Sequence, residues 1–510
     1  MKREGKKGMS ILRTLLITFV SLIFVFGEVY LYYVILMSYL NSPWMFLLIR
    51  FIGAVCALYL YGRKSNSNYK LTWIVAILIM PLSGTLIFLC FGNGRMLPKK
   101  KYEKVSKTLG IYIKPNDTIE HLKEIDRIGY KHLSLVNRLT NFPAYQNTNS
   151  IFYGSIEEKH KKLIEDLKSA TKYIFIEMFI VAKGKLWNEI YSILLTKAKE
   201  GVEIKFLFDD IGSKFRKPKK DFETLNQFAH VKIKAYNPMR QNLTPGLNYR
   251  DHRKIVIIDG KYGYIGGDNL ADEYININSP YGHWRDNVLR LEGDAIYNLL
   301  LIFSQTWFMT TSEMINIDSY VFEHEIINTS IHMPFGDGPM NKVEPAYDLY
   351  LSLINNAQKS IYISTPYFII DDNFIGAIAR ACQSGVDVRI LLPKIPDKKM
   401  VFLMSRAHYR DILDAGGRIY EYTPGFNHAK TIIVDNKYAI IGTINCDYRS
   451  FYLHFECGDF LMYDDSIKEM SKDYIRTLIK SEEITLENWK KRPLYRKFLE
   501  FVLKVISPLL

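Results

Sequence analysis

Two copies of one motif, whose histidines lie 176 residues apart, constrain this chain more than any other feature. The first, NYRDHRKIVIIDGKYGYIGGDN over 248–269, supplies His252, Lys254, Asp259, Gly266, Gly267 and Asn269. The second, GFNHAKTIIVDNKYAIIGTIN over 425–445, supplies His428, Lys430, Asp435, Gly442, Thr443 and Asn445 at the same offsets. A single His-x-Lys is noise, whereas two copies of the full pattern are a repeat. The flanks repeat as well, since the pairs Ala170/Ala357 and Gly201/Gly385 are separated by 187 and 184 residues. Helical periodicity is expected over 156–170, 186–198, 347–357 and 374–383, and strands over 173–181, 202–208, 255–258, 262–265, 360–370 and 386–392. Strands alternating with helices imply α/β layering. Two homologous αβ halves packed face to face would bring the two motifs to one site.

His-x-Lys on a strand sets both side chains on one face, about 6.6 Å apart at 3.3 Å per residue. That spacing suits one phosphate, with the imidazole at phosphorus and the ammonium at a non-bridging oxygen. One histidine can attack and form a phosphohistidine, while a second protonates the leaving alcohol and then deprotonates the incoming one. Asn269 and Asn445, with the backbone around Gly266, Gly267 and Thr443, can add donors to the phosphate. The chemistry needs no cofactor or metal, and no cluster with metal-ligand spacing stands in the sequence. Asp259 lies seven residues past His252, roughly 23 Å along an extended strand and of opposite facing parity. It and Asp435 are therefore expected to cap or brace their turns, although they belong to the motif. Orienting carboxylates must come from elsewhere: Asp286 and Glu273 are candidates for the first half, Glu456 for the second. His230, His324, His332 and His408 are assigned to surface or core, and His454 fits neither class cleanly. The five cysteines lack CxxC spacing and read as buried structural thiols.

The formal net charge is +14, and its location says more than its size. Residues 1–110 carry +12 and the tail 489–510 carries +5, leaving about −3 for the long middle. A nucleic-acid binder concentrates positive charge on its catalytic body, so nucleic acid is not the expected partner. Here the charge flanks apolar stretches at 15–40, 44–61 and 71–91, each near the roughly 20 residues that cross a bilayer as helix. Anionic lipid headgroups are the natural partner for such clusters. The positive-inside rule cannot place all three basic clusters on one side if all three stretches span. The third, interrupted by Pro81 and Gly84, is then re-entrant or interfacial, with the catalytic body on the cytoplasmic side of the cell membrane. In the tail, Lys490, Lys491, Arg492, Arg496, Lys497 and Lys504 interleave with Leu494, Phe498, Phe501, Val502, Val505 and Ile506. That basic amphipathic pattern suits either an interfacial helix or one packed on the body. The expected division is a membrane domain at 1–98, a connector at 99–146, αβ halves at 147–335 and 336–485, and the tail at 486–510.

The paired motif resembles that of the phospholipase D superfamily, and the remaining chain is similar to the bacterial cardiolipin synthases over nearly its whole length. Trp73, Pro81, Gly84 and Gly92 fall as in that family's membrane domain. Tyr281-Gly-His-Trp284-Arg285-Asp286, Ser364-Thr-Pro-Tyr-Phe368, Glu421-Tyr-Thr-Pro-Gly-Phe426, Arg449-Ser450 and the ending Ser507-Pro-Leu-Leu510 match its recurring phrases. Two positions depart: Ile370 stands where proline is expected, and His454 where asparagine is expected. The resemblance implies two phospholipase D-like halves forming a pseudo-dimer behind a helical membrane domain. It implies phosphatidyl transfer between two phosphatidylglycerols through a phosphatidyl-histidine, with His252 as nucleophile and His428 as acid and base. Rival readings are a membrane phospholipase D, a phosphatidylserine synthase and a nuclease.

Overall fold

The structure is a computed structural model; it describes residues 43–92 except 65, 109–238 except 115–116, and 248–509 except 342, with isolated positions at 27, 30, 34, 104, 105 and 107. The described residues divide into two compact units, the first within residues 1–96 and the second carrying both motifs.

In the N-terminal unit, helices run over Pro43–Tyr61, Ser67–Ile79 and Pro81–Ile87. Asn66 starts the second helix, its side chain accepting from the amides of Asn68 and Tyr69 at 3.0 and 3.3 Å. Met80 leaves the helical region and Pro81, which has no amide proton, occupies the first turn of the next helix. The apolar stretch 71–91 is therefore broken, as the Pro81 and Gly84 interruption suggested. Gly84 is needed there, because a Cβ would lie 2.7 Å from the Ala76 carbonyl oxygen. Ala57, Leu60, Trp73, Ile77 and Phe88 form a small core. Among the described residues no helix is long and apolar enough to cross a membrane. The expected span at 15–40 lies outside the described residues, apart from three isolated positions.

Among the described residues the second unit holds nineteen strands. The first eight are β1 Thr148–Tyr153, β2 Tyr173–Met178, β3 Glu203–Asp209, β4 Val231–Tyr236, β5 Lys254–Ile258, β6 Tyr262–Gly266, β7 His283–Arg285 and β8 Val288–Gly293. The others are β9 Ile331–Asp337, β10 Ser360–Ser364, β11 Phe368–Ile369, β12 Asp387–Pro393, β13 Arg418–Tyr422, β14 Gly425–Asn427, β15 Thr431–Val434, β16 Tyr438–Gly442, β17 Cys446–Asp447, β18 Glu456–Met462 and β19 Ser481–Ile484. One sheet has the order β1-β8-β6-β5-β2-β3-β4, and the other β9-β18-β16-β15-β10-β12-β13 with β19 added at the edge. Strand for strand, one order is the other. The repeat in the sequence is thus a repeat in the fold. Because β9 pairs with β18, residues 331–335 belong to the second sheet and not to the first half where the sequence division put them.

Strand alternation distributes each sheet between two cores. Ile174, Ile176, Val256 and Ile258 face the helices Ile156–Ser169 and Lys185–Lys199, while Phe175, Ile255 and Ile257 face a core shared with Ile433, Ile441 and Leu461 of the second sheet. The helix Ile296–Thr311 runs through that shared core and is buried almost all round. A helix with no polar face gives no amphipathic signal, which is why periodicity did not reveal it. The connector is more than a linker. Its helices Thr118–Ile125 and Arg127–Thr140 bury Leu122, Leu133 and Val136 in the second half's core. Between them, Asp126 accepts from the hydroxyls of Tyr438 and Tyr463 and pairs with Lys437 at 2.8 Å.

Candidate active site

Each motif folds as a strand, a tight turn and a returning strand. Asp259 and Gly260 both have positive φ (54° and 67°), as do Asp435 and Asn436 (56° and 52°), the paired left-handed conformation of a type I′ hairpin. The motif aspartates sit at these turns. Asp259 accepts from the amides of Thr171, Lys172 and Tyr173 at 2.7–2.8 Å and from the Thr171 hydroxyl at 3.0 Å. Asp435 accepts from the amides of Gln358, Lys359 and Ser360 at 2.7–2.9 Å. Both brace the start of the neighbouring strand, as their spacing predicts, and neither is hydrogen-bonded to its own histidine.

His252 lies two residues before β5 and His428 three residues before β15, rather than within them, and there the halves exchange backbone. The His252 amide donates to the Phe455 carbonyl at 2.9 Å, and the His428 amide donates to the Arg285 carbonyl at 2.7 Å. Strand β14 pairs in parallel with β7, and Asp251 forms a parallel bridge with Phe455. This crossing corrects the expected assignment of the acids. His252 Nδ1 is 3.0 Å from both carboxylate oxygens of Glu456, which comes from the second half. His428 Nδ1 is 2.5 Å from Asp286 Oδ2, which comes from the first. Each imidazole is therefore held by its partner half, a pairing that no sequence distance could show. Glu273 is not an orienting acid, because its carboxylate is occupied by the Arg216 guanidinium.

With Nδ1 taken, Nε2 is the nitrogen left for chemistry on each ring. Burial pulls both imidazoles well below their ordinary range, which favours the neutral, nucleophilic form. Burial also lowers Lys254 to about 8 and Lys430 to about 7. Each ammonium donates to the carbonyl of the histidine two residues before it. Lys254 also acts electrostatically on His428, so the two motifs lie close together. The acids differ. Burial pushes Asp286 up to about 6, whereas at Glu456 burial is outweighed by His252 and His454, which hold that carboxyl below the usual range.

The small residues of the motif make room for these acids. A Cβ on Gly267 would meet Asp286 Oδ1 at 2.1 Å, so this position must be glycine if the carboxylate is to reach His428. At the matching place Thr443 does the opposite and donates its hydroxyl to Glu456, which also accepts from Ser450 Oγ at 2.8 Å. A Cβ on Gly266 would meet the Asn287 carbonyl at 2.5 Å, and one on Gly442 the Cys457 carbonyl at 2.3 Å. Both glycines serve close strand pairing. The asparagines diverge. Asn269 accepts from the Ile180 amide at 2.9 Å and donates one of its two amide hydrogens to the Tyr274 hydroxyl at 2.7 Å. Asn445 keeps its Oδ1 buried without a hydrogen-bond partner.

Sequence reasoning missed the walls around the imidazoles. The Phe179 ring meets His252 edge-on at 4.9 Å, and Trp284, Tyr274 and Phe426 surround His428 at 5.0, 5.5 and 5.8 Å. Ser450 stood in a recognised phrase, Arg449-Ser450, without an assigned role. His454 packs 5.5 Å from His252, ring to ring, with its Nδ1 3.7 Å from Glu456. His252, His454 and Glu456 thereby form a group with the composition of a metal site, although no metal-ligand spacing marks it in the sequence.

Comparison with known proteins agrees with this geometry. A family described as "Cardiolipin synthase, PLD-like domain" matches residues 163–307 and 350–478, one segment around each histidine. "Cardiolipin synthase 2" of Bacillus anthracis is 38% identical over 465 residues, covering 89% of this chain and 89% of that protein. "Cardiolipin synthase" of Alkalihalophilus pseudofirmus is 35% identical over 475 residues, covering 90% and 92%. Among solved structures, a phosphatidylserine synthase of Haemophilus influenzae superposes with a TM-score of 0.57 at 16% identity, covering 74% of this chain and 99% of that one. At that identity the likeness concerns the fold alone.

Proposed function

We infer the reaction from the premise that this chain belongs to the bacterial cardiolipin synthases of the phospholipase D superfamily. It is a phosphatidyltransferase that joins two phosphatidylglycerols into cardiolipin and releases glycerol. The observation that carries the mechanism is the crossed pairing of His252 with Glu456 and His428 with Asp286. It fixes both rings with Nδ1 as donor and leaves Nε2 for the substrate.

His252 Nε2 attacks the phosphorus of the first lipid, and the bond from phosphorus to the glycerol oxygen breaks. His428 gives its proton to that oxygen. The terminal hydroxyl of the second lipid then attacks the phosphohistidine, His428 takes its proton back, and the phosphorus–nitrogen bond breaks to free His252. Lys254 and Lys430 hold the non-bridging oxygens. The anionic phosphate adds negative charge beside His428, which favours the protonated form of the acid. The assignment of His252 as nucleophile is supported by its carboxylate, since Glu456 is held below the usual carboxyl range whereas burial pushes Asp286 up to about 6.

A lipid substrate suits a site at the cell membrane, and the basic clusters flanking the apolar stretches favour its cytoplasmic face for the catalytic body. The helix Leu494–Ile506 supports that reading. It buries Leu503 against the body and pairs Lys504 with Asp411 at 2.7 Å, while Leu494, Tyr495, Phe498 and Phe501 remain exposed. Both sequence readings of the tail are thus combined, one face packed and the other free for an anionic bilayer. In the N-terminal unit, Phe51, Leu58 and Leu78 are likewise exposed, which suits a membrane-embedded domain. Incubating the purified full chain in detergent with phosphatidylglycerol alone tests the reaction. Cardiolipin and free glycerol are the expected products; phosphatidic acid without cardiolipin would identify water as the acceptor and overturn it.

A further inference from the structure

The crossed site contains one chemically potent group that the transfer reaction does not use. His454 is largely buried, and both of its ring nitrogens lack a hydrogen-bond partner. Its backbone is fixed by the amide, which donates to the Arg449 carbonyl at 2.8 Å. The ring faces His252 on one side and the Glu456 carboxylate on another. Counted from the paired acids Glu456 and Asp286, His454 matches Trp284, whose indole packs on His428. One catalytic imidazole is walled by an indole, which cannot ligate a metal. The other is walled by an imidazole, which can.

We propose that His252, His454 and Glu456 form an inhibitory site for a zinc-class dication. One ligating atom from each residue lies within 4.8 Å of the others. His252 Nδ1 is 3.0 Å and His454 Nδ1 is 3.7 Å from Glu456 Oε1. Tetrahedral Zn²⁺ with bonds of about 2.0–2.1 Å separates its ligands by roughly 3.3 Å, so the two edges to Glu456 need shifts of a few tenths of an ångström, while the edge between the imidazoles lies within 4.8 Å. Two borderline imidazoles beside one carboxylate favour Zn²⁺, Cu²⁺ or Ni²⁺ over Mg²⁺, which prefers an all-oxygen shell. The fourth position is left to water or a phosphate oxygen.

The bound ion would silence the nucleophile by proton bookkeeping. Neutral His252 keeps its proton on Nδ1, facing Glu456, and its lone pair on Nε2. A dication that takes the Nδ1 lone pair forces the proton of the neutral ring to Nε2, the atom that must attack phosphorus. No electron is transferred and no bond to phosphorus forms. The second motif carries no such liability, because its wall at the matching place is Trp284.

The test uses the full chain in detergent, titrated with Zn²⁺ for affinity and with Co²⁺ for its visible absorption spectrum. Activity toward phosphatidylglycerol is measured with and without metal for each variant separately. The expected result is one equivalent bound, a four- or five-coordinate Co²⁺ spectrum, and inhibition that a chelator reverses and Mg²⁺ does not reproduce. His454→Asn and His454→Gln should weaken binding about 10-fold or more and raise the inhibitory concentration in parallel. Stoichiometric binding and inhibition unchanged in both variants would overturn the proposal, as would no stoichiometric binding to the wild-type chain. The Co²⁺ spectrum reads the site without turnover, so its outcome is separate from that of the reaction assignment.

Discussion

Beneath His252 lie Glu177, Asp251 and Arg253, and at the matching places beneath His428 lie Ser364, Asn427 and Ala429. In the second half, Asn427 donates to the Ser364 hydroxyl at 3.0 Å and accepts from Arg285 at 2.8 Å, a neutral layer in which each group has its partner. In the first half, both oxygens of Glu177 and one of Asp251 are buried without a donor. Arg253 spends its guanidinium on the Glu456 carbonyl, Thr306, Gln305 and the Asp337 carbonyl. The walls differ in the same sense, with His454 at His252 and Trp284 at His428. The two halves share the backbone and the His-Lys pair and differ in what surrounds each histidine, which is where the proposed division of catalytic roles would originate.

The most damaging way to break this comparison is to remove each histidine. His252→Ala and His428→Ala should each lower turnover by about 10⁴-fold or more, and only His428→Ala should accumulate a radiolabelled phosphatidyl adduct. The crossed pairing then makes a sharper demand. Asp286→Asn belongs to the first half by sequence, yet it should behave as His428→Ala does and retain adduct. Glu456→Gln, from the second half, should prevent adduct formation, with losses of about 10²–10⁴-fold for either acid. Adduct retained in Glu456→Gln and absent in Asp286→Asn would reverse the roles.

The matched pair Gly267 and Thr443 gives the next largest contrast. Gly267→Ala sets a methyl group against the Asp286 carboxylate, and displacing that acid by about 1 Å should cost about 10²-fold in kcat. Thr443→Ala removes one hydrogen bond to Glu456, which keeps His252 and Ser450, and should cost about 1 kcal/mol, or roughly 5-fold. Steady-state kinetics on both variants checks the order, and a larger loss at Thr443 would contradict it.

The turn aspartates should affect stability rather than chemistry. Asp259 receives four donors and Asp435 three. Asp259→Ala should destabilise by about 2–3 kcal/mol and Asp435→Ala by somewhat less. The residual folded protein should keep its KM, as denaturant unfolding and kinetics together would show.

Much of this was legible because it is periodic. The duplicated motif, the αβ alternation and the bracing role of Asp259 follow from spacing and strand parity alone. Three features were hidden for physical reasons. The helix Ile296–Thr311 is buried on nearly every side and gives only a weak amphipathic signal. The acid partners of the histidines come from the opposite half, across 142 and 204 residues, where sequence proximity misleads. The engagement of Asn269 with the Ile180 amide and the Tyr274 hydroxyl was the third, since neither neighbour could be known before folding.

The smallest expected effect concerns the charged layer itself. Burial pushes Asp251 up to about 7 and Glu177 upward as well, with each carboxyl raising or sharing the proton of the other. An acid whose folded pKa exceeds its unfolded value binds more protons when folded, so stability falls as pH rises from about 4 through about 7. Glu177→Gln removes one ionisable group from this layer and supplies an amide donor to the unpaired oxygen of Asp251. The variant should therefore match the wild type near pH 5 and exceed it by about 1 kcal/mol at pH 8, since a buried charge without donors costs more than a neutral isostere. Unfolding measured across that range reads the difference directly. The equivalent change at Ser364, where the layer is neutral, should leave the pH profile untouched. A profile that stays parallel to the wild type after Glu177→Gln would show that the first half pays no electrostatic cost for its distinct layer.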